Sequence, residues 1–304
     1  MKAMGFTEFG PPEVLEPMEI AAPQAGAGEV RVRVKAAGVQ PVDCAIRTGF
    51  RPQGVPVALP HVTGGEFAGI VDQTGSGVTA FAPGDEVLGF RMQYAYAEYV
   101  VVPQDQLVRK PDTMPWEAAG GLSGAGQTAL TALEELAVGP GDTLLINGAA
   151  GGVGTVAVQA ARAKGAAVIG TASPANHDYL RSIGAIPVTY GAGLAERVRA
   201  LAPGGVDAAL DAGGADGLLA AVELVPDRNR IATTVAFELA GELGVRWIRS
   251  RRSAQRLAEL VELYTRGQLR IHIRRTFPLN QAAEAHREME IGHGRGKIVL
   301  TLED

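Results

Sequence analysis

Cysteine occurs once in the chain, at Cys44. A single thiol cannot form an intramolecular disulfide, and it excludes any zinc centre built from several thiolates. Lysine is scarce too, with 23 of the 28 basic residues being Arg; that bias reads as genome composition and carries no function. No uninterrupted apolar run is long enough to cross a bilayer, and the opening MKAMGFTEFGPPEV lacks the apolar core of a secretion signal. The expectation is a soluble, cytoplasmic protein with no membrane partner. Positive charge is not in excess either: 28 basic against 33 acidic residues give a formal net charge of −5. No basic stripe with interleaved aromatics stands out, so nucleic acid is not an expected partner. Arg249, Arg251 and Arg252 form a short basic cluster that reads as a solvated face or a helix entry.

Hydrophobic residues make up 46% of the chain and charged residues 20%, a globular balance. The 304 residues suffice for one large or two ordinary domains with a core that needs no staples. Glycine stands at 40, well above the roughly 7% average, so much of the backbone must turn tightly or approach something closely.

The first third reads as short strands. Glu29 to Ala36 alternates valine with charge, the period of a half-buried strand. GGEFAGIV, FAPGDEVLGF and YAEYVVVP follow, separated by Gly, Pro and Asp, and suggest a compact barrel or sandwich. The prolines of Lys110 to Pro115 mark a boundary. An Ala-rich helix from Trp116 to Val138 comes next. Strand-like and helix-like segments then alternate: TLLING with a helix from Gly152 to Lys164, AAVIGT with one at Ala175 to Ile183, IPVTY with Leu194 to Leu201, and VDAALD with Asp216 to Glu223. RIATTV and GVRWI close the series. This order predicts a doubly wound parallel sheet, and the continuously apolar strands suit burial on both faces. A helix from Ser253 to Arg266, a strand at LRIHI, a helix from Gln281 to Met289 and a strand at GKIVLTL end the chain, and this tail is expected to return to the first domain.

Thr143 to Gly154 reads TLLINGAAGGVG, a strand and turn that open a helix. Gly151 and Gly154 match the second and third glycines of a dinucleotide fingerprint, with Ala149 in the first position. Gly151 admits a pyrophosphate to the backbone, Gly154 allows close helix packing, and the helix N-terminus offers free N–H groups and a positive dipole end. A ligand-free tight turn, or the loop of a methyl-transfer enzyme, has the same glycines. The second strand ends Gly170-Thr171-Ala172-Ser173, without the acid that binds a ribose 2′-hydroxyl in NAD-selective sites. A 2′-phosphate is therefore tolerated. Ser173, Asn176 and His177 offer donors at that edge, and Ser173 to Asn176 also suits a helix cap.

Taken together these residues resemble the medium-chain dehydrogenase/reductase superfamily in its zinc-free quinone oxidoreductase (zeta-crystallin-like) branch. The resemblance is carried by Gly141-Asp142, Leu145, Ala149 to Gly152, Gly154, Gln159 and Arg162. Upstream it rests on Ala37-Gly38-Val39, Pro41-Val42-Asp43, Arg47-Thr48-Gly49, Gly65 to Gly69, and Gly84-Asp85. The ending Gly292-His293 with Arg295 to Leu300 extends it over nearly the whole chain. It implies an α/β fold: a Rossmann-type doubly wound parallel sheet plus a GroES-like β-barrel catalytic domain. Residues 1–115 would begin the catalytic domain, 116–266 would bind NADP, and 267–304 would complete the catalytic domain. It further implies that NADPH, in preference to NADH, is held by Gln40, Thr128, Ala149, Ala150, Gly151, Gly152, Val153, Gly154, Ser173, Asn176, His177, Tyr190, Asp211, Val235 and Phe237.

Zinc-dependent relatives place a cysteine where Gln40 stands, a histidine where Gly65 stands and a further ligand near Gly120, so no metal site is expected; His61 is off register. Many relatives carry Asn at position 40, which lies near nicotinamide and substrate. Without a metal, a developing oxyanion must be held by N–H or O–H donors, and this favours quinones and α,β-unsaturated carbonyls, whose reduced forms are stabilised anions. Gln40 is the first candidate donor. Tyr94 and Tyr96 are the others, on one side if their segment is a strand. Arg47 reads as a solvated loop residue, Cys44 as a small buried hydrophobe, and His272, His286 and His293 as surface groups. A zinc-independent alcohol dehydrogenase and a non-catalytic NADPH-binding protein, crystallin-like or a sensor, stay open as alternatives. The edge strand Gly244 to Ile248 suggests a homodimer. The loops Arg47 to Pro60 and Phe90 to Tyr99 do not translate into a pocket, so the substrate is not named.

Overall fold

The computed structural model describes residues 1–303 apart from 53, 55 and 56. The three omitted internal positions belong to the Arg47 to Pro60 loop, and that part of the loop lies outside the described residues. The chain forms two compact units. One comprises Met1–Gly124, Arg252–Val261 and Ile271–Asp304; the other comprises Ala125–Arg251 and Glu262–Arg270.

The first unit opens with β1 (Lys2–Phe6), β2 (Glu16–Glu19), β3 (Glu29–Val39), α1 (Pro41–Arg47) and β4 (His61–Val62). Strands β5 (Glu66–Thr74), β6 (Glu86–Phe90), β7 (Tyr99–Pro103) and β8 (Leu107–Arg109) follow, then α2 (Trp116–Gly120). Along β3, Val30, Val32 and Val34 are buried while Arg31, Arg33 and Lys35 face outward, the period of two that alternation dictates. Each such valine contributes about 1.5–3 kcal/mol on burial. From Ala36 to Val39 both faces are buried, because β5 and α2 pack there.

The expected single helix from Trp116 to Val138 is two helices, α2 and α3 (Ser123–Glu135), interrupted at Gly121. Helix α2 packs on β3 and β5, so the first unit runs on to Gly124 rather than stopping at 115. At Gly120 a Cβ would meet Ala36 Cβ and main chain at 2.6–2.8 Å; the glycine lets the helix sit directly on the strand.

The second unit alternates β9 (Thr143–Asn147), α4 (Gly152–Ala163), β10 (Ala167–Thr171), α5 (His177–Ser182), β11 (Ile186–Val188), α6 (Leu194–Leu201), β12 (Ala208–Asp211), α7 (Ala215–Leu224), β13 (Ile231–Thr233), α8 (Phe237–Leu243) and β14 (Arg246–Trp247). Every pairing is parallel, in the order β11-β10-β9-β12-β13-β14. The order reverses beside β9, and the carboxyl end of the strands at such a switch point is where an open α/β sheet binds ligands. Leu145, Ile169, Val198, Ala209, Leu218 and Ile231 form the core beneath it.

Helix α9 (Ala254–Thr265), β15 (Ile273–Pro278), α10 (Ala282–Ile291) and β16 (Lys297–Thr301) complete the chain. Strand β16 pairs with β3, and β15 with β16. The strand expected at LRIHI is displaced: Leu269 is buried ahead of it, and Ile273–Pro278 pairs instead, with Phe277 facing the core. Arg252–Val261 also belongs to the first unit, so the return begins before residue 267.

Candidate active site

In the first unit Gln40, the first candidate donor, belongs to a buried polar cluster. It precedes α1, whose start is fixed by Pro41 at the first helical position and by Asp43 Oδ2, which accepts the Gln40 N–H at 2.9 Å. The Gln40 side chain is buried, and its Nε2 donates to Glu66 Oε1. Because a carboxylate only accepts, the amide nitrogen must face Glu66. Glu66 Oε1 also accepts from Lys297 Nζ at 2.8 Å and Oε2 accepts from Gly124 N at 2.5 Å. Lys297 in turn donates to Val39 O at 3.3 Å. Two glycines make this packing feasible. A Cβ at Gly38 would overlap the Glu66 carboxylate, and one at Gly124 would overlap Gln40 Nε2. In the sequence Glu66 and Lys297 fall inside the matching stretches Gly65 to Gly69 and Arg295 to Leu300 and carry no role of their own. The available signal was a carboxylate opening the apolar run Phe67-Ala68-Gly69-Ile70-Val71.

Tyr94 and Tyr96 do not share a side. Their segment is not a strand, and Tyr94 has φ +76°. Tyr94 is exposed, under the Arg91 guanidinium 5.1 Å from its ring centre. Tyr96 is wholly buried. Its hydroxyl donates to Asp43 Oδ2 at 3.2 Å and lies 3.3 Å from His286 Nε2. Burial and the Asp43 carboxylate hold that hydroxyl well above the ordinary tyrosine range, so Tyr96 positions its neighbours rather than lining a cleft.

Arg47 and His286 are likewise buried, not solvated. Arg47 Nε donates to His286 Nδ1 at 3.3 Å, NH1 to Gly10 O, and NH2 pairs with Glu290. The donors define one direction. His286 accepts at Nδ1, carries its proton on Nε2, and donates to Tyr96, whose own proton goes to Asp43. Burial, and then the Arg47 charge, hold His286 down at about 3, consistent with a neutral ring. Burial pushes Asp43 up to about 6, with the Glu66 charge adding to it. Cys44 is buried with its thiol pushed up to about 12, first by burial, as a small packed hydrophobe should be. His61 Nε2 lies 3.1 Å from Gln93 Oε1, and burial lowers its pKa.

In the second unit the turn before α4 is made at Gly148, φ +70°, where a Cβ would meet Ala212 O at 2.6 Å. The fingerprint's first position, Ala149, is thus one residue past the glycine that turns the chain. At Gly154 a Cβ would overlap Gly148 O and lie 2.6 Å from Ala149 Cα, so no side chain fits and α4 rests on the turn. At Gly151 the nearest atom to a Cβ is Gly148 O at 3.4 Å, an ordinary contact. Gly151, Gly152 and Val153 are half-buried. The first N–H groups of this 12-residue helix have no intrahelical acceptor, so the donor set suits a phosphate.

Thr171 fixes this turn, accepting Gly148 N on Oγ1 at 3.1 Å and Ala149 N on its carbonyl at 3.0 Å. Beyond it Asn176 Nδ2 donates to Ser173 Oγ at 3.2 Å, and neither side chain caps a helix. His177 Nε2 lies 3.5 Å from Thr189 Oγ1, and Tyr190 is exposed next to it, so the strand ends bring Ser173, Asn176, His177 and Tyr190 to one edge. Arg197, missed in the sequence, wraps this loop by donating to the carbonyls of Thr189, Tyr190, Gly191 and Ala192. Thr128 is half-buried in α3. Asp211 is engaged with Gly213 N, Gly214 N and Thr233 Oγ1, so it shapes the loop after β12. Val235 and Phe237 are exposed after β13.

Known proteins resemble this chain in sequence and in fold. An alcohol dehydrogenase GroES-like domain model matches residues 26–112, and a zinc-binding dehydrogenase model matches residues 183–300. A quinone oxidoreductase of Pseudomonas aeruginosa is 32% identical over 98% of this chain and 99% of its own length. The crystal structure of Escherichia coli quinone oxidoreductase complexed with NADPH is similar with a TM-score of 0.85 at 26% identity, covering 99% of this chain and 100% of that one. The pikromycin polyketide synthase component PikAII of Streptomyces venezuelae is 35% identical over 91% of this chain. The chain spans only 5–14% of that protein and of three other polyketide synthases it matches. A GroES-like unit with a Rossmann-like parallel sheet is the build of a dehydrogenase or reductase. The chain belongs to the medium-chain dehydrogenase/reductase superfamily, in its quinone oxidoreductase branch.

The family description names zinc, and the residues here do not suit it. Among the described residues no three His, Cys, Asp or Glu are grouped to hold a metal ion. Of the three positions compared above, Gln40 is turned onto Glu66 and Gly120 lies on Ala36. Gly65 faces the Arg252 guanidinium, whose NH1 would lie 3.2 Å from a Cβ there.

Proposed function

We propose that the chain is an NADPH-dependent, metal-independent reductase of quinones or α,β-unsaturated carbonyls. The observation that carries this reading is the Gln40–Glu66–Lys297 cluster, in which a fixed carboxamide stands where metal-dependent relatives carry a ligand. The NADPH complex of the Escherichia coli relative supports the coenzyme. So does the carboxylate-free stretch from Thr171 to His177, since an acid there would repel a 2′-phosphate.

When bound, the coenzyme supplies a hydride. The α4 N-terminus holds the pyrophosphate through its first N–H groups. Ser173, Asn176, His177 and Tyr190 hold the adenosine phosphate. The remaining N–H of Gln40 Nε2 points a donor at the substrate oxygen, and Glu66 prevents the amide from flipping. Solvent supplies the final proton, because an enolate or hydroquinone anion is basic enough to take it from water. Mixing the protein with NADPH and a panel of quinones and enals should oxidise NADPH faster than NADH, without inhibition by a chelator. Failure to reduce any acceptor, or activity that appears only with added zinc, sinks the proposal.

The proposal includes a homodimer through β14. This strand edges the parallel sheet, and its exposed Trp247 meets exposed Phe237 in a tilted contact with 5.6 Å between ring centres. An edge strand that carries an exposed aromatic side chain beside another is a template for pairing with a second copy. Light scattering at micromolar concentration should give twice the chain mass; a monomer contradicts it.

A further inference from the structure

We infer that Arg252 is the resident cation of the substrate site, its guanidinium binding the oxyanion that a substrate carbonyl becomes on reduction. This rests on the hydride-transfer reading above and goes beyond it by adding a charged group.

Arg252 lies just ahead of α9, in the cluster that the sequence presents as a solvated face. It is half-buried instead. NH1 donates to Gly65 O at 2.7 Å and to Arg91 O at 3.2 Å. Both acceptors are neutral carbonyls, so they orient the head without cancelling its charge. A Cβ at Gly65 would lie 3.2 Å from NH1 and 3.6 Å from NH2. A side chain at 65 would press on NH1 by a few tenths of an ångström, so glycine leaves the guanidinium its full room there. The same position carries a metal ligand in zinc-dependent relatives, so one cation has taken the space another needs. Burial lowers the Arg252 pKa, and the nearby charges of Glu66 and Asp43 offset part of that cost. Glu66 is itself balanced by Lys297. An arginine stays protonated in such surroundings.

The chemistry fits a delocalised oxyanion. A hydride from reduced nicotinamide forms a C–H bond at the β-carbon of an enone, and the C=C electron pair moves onto the carbonyl oxygen as an enolate. Arg252 holds that oxygen through charge-assisted N–H bonds. A proton from water then forms the α C–H bond; NADPH is oxidised and the enone is reduced by two electrons. For a quinone, hydride added at a ring carbon leaves an oxyanion that Arg252 holds; loss of that ring C–H proton and protonation of both oxygens restore the aromatic ring, so the net uptake is one hydride and one solvent proton. The ligand class is therefore enolates and phenolates, which a neutral amide such as Gln40 alone binds more weakly.

The probe is 4-nitrophenol, which reports its own ionisation by colour and needs no turnover. The wild-type chain should bind the phenolate more tightly than the phenol and so lower the apparent pKa of the bound probe. Arg252→Gln should weaken phenolate affinity and kcat/KM for quinones by about 100-fold, the order found for removal of an oxyanion donor, with NADPH affinity unchanged. If Arg252→Gln does not fold, Gly65→Ala decides: its Cβ crowds NH1 without deleting the guanidinium, and should measurably weaken phenolate binding, though by less than removal of the donor does. Phenolate bound no better than phenol by the wild type overturns the inference, as does undiminished phenolate binding by the folded variant. A wild type that favours phenolate but reduces no acceptor overturns the functional reading and leaves the anion site standing. One that reduces acceptors while Arg252→Gln still binds phenolate does the reverse.

Discussion

Replacing Lys297 with methionine should cost about 3–5 kcal/mol of stability at neutral pH, the penalty for leaving one member of a buried ion pair alone. The Lys297 and Glu66 side chains are 5% and 0% exposed, so water cannot reach the carboxylate that remains. Its other hydrogen-bond partners, Gln40 Nε2 and Gly124 N, are neutral, and the Arg252 charge acts on it without a hydrogen bond. Two further chains make the test specific. Lys297→Met with Glu66→Gln removes both charges and should recover most of the loss, because a neutral pair of similar volume does not carry the desolvation penalty of a lone ion. Its activity should stay low, since a Gln at 66 offers a donor as well as an acceptor and no longer fixes the Gln40 amide. Urea unfolding of the three chains gives the cycle. A single variant that loses less than about 1 kcal/mol would place the pair among exposed bridges of small effect, contrary to its burial.

The division between what the sequence declares and what it hides follows the range of the interactions. Strand β9, the glycine turn and α4 are local features, and the reading of Thr143 to Gly154 needed only neighbouring residues. The same is true of α6, recognised from Leu194 to Leu201 and found at those bounds. The polar core of the first unit was misread because its partners are far apart in the chain. Arg47 meets His286 across 239 positions, and Arg252 meets Gly65 across 187. Arg and His are mostly exposed by default, and nothing adjacent to them contradicts that default. Yet a weaker signal existed. Asp43, Ile46 and Arg47 fall on one face of α1, and Ala282, Ala285, His286 and Met289 on one stripe of α10; all but the partly buried Met289 are buried. An ionisable residue on the apolar stripe of a helix is a buried group awaiting its partner. Tyr94 and Tyr96 fail for another reason. Alternation counts only if the backbone is extended, and the positive φ at Tyr94 breaks it.

The acid stability of the chain should be set by two of these hidden groups acting in opposite senses. His286 titrates at about 3 when folded and near 6.5 when unfolded. As pH falls below 6.5 the unfolded chain takes up a proton that the folded ring refuses, so stability declines until about pH 3, by up to about 4–5 kcal/mol at 1.36 kcal/mol per unit. Asp43 behaves inversely. Raised from 3.8 to about 6 in the fold, it takes a proton in the folded state first. It therefore adds stability as pH falls from 6 to 3.8, by up to about 3 kcal/mol, and that gain is lost as pH rises through 6. The groups facing them are Arg47 and Tyr96 at His286, and Gln40, Tyr96, Glu66 and Lys297 around Asp43. His286→Gln keeps an acceptor for Arg47 and a donor for Tyr96 but has nothing to protonate, so its stability should fall off less steeply than wild type between pH 6 and about pH 4. Asp43→Asn removes the compensating uptake and should fall off more steeply over the same interval. Denaturant unfolding at several pH values separates the cases, and a His286→Gln curve parallel to wild type would mean that the ring is not the group that refuses the proton.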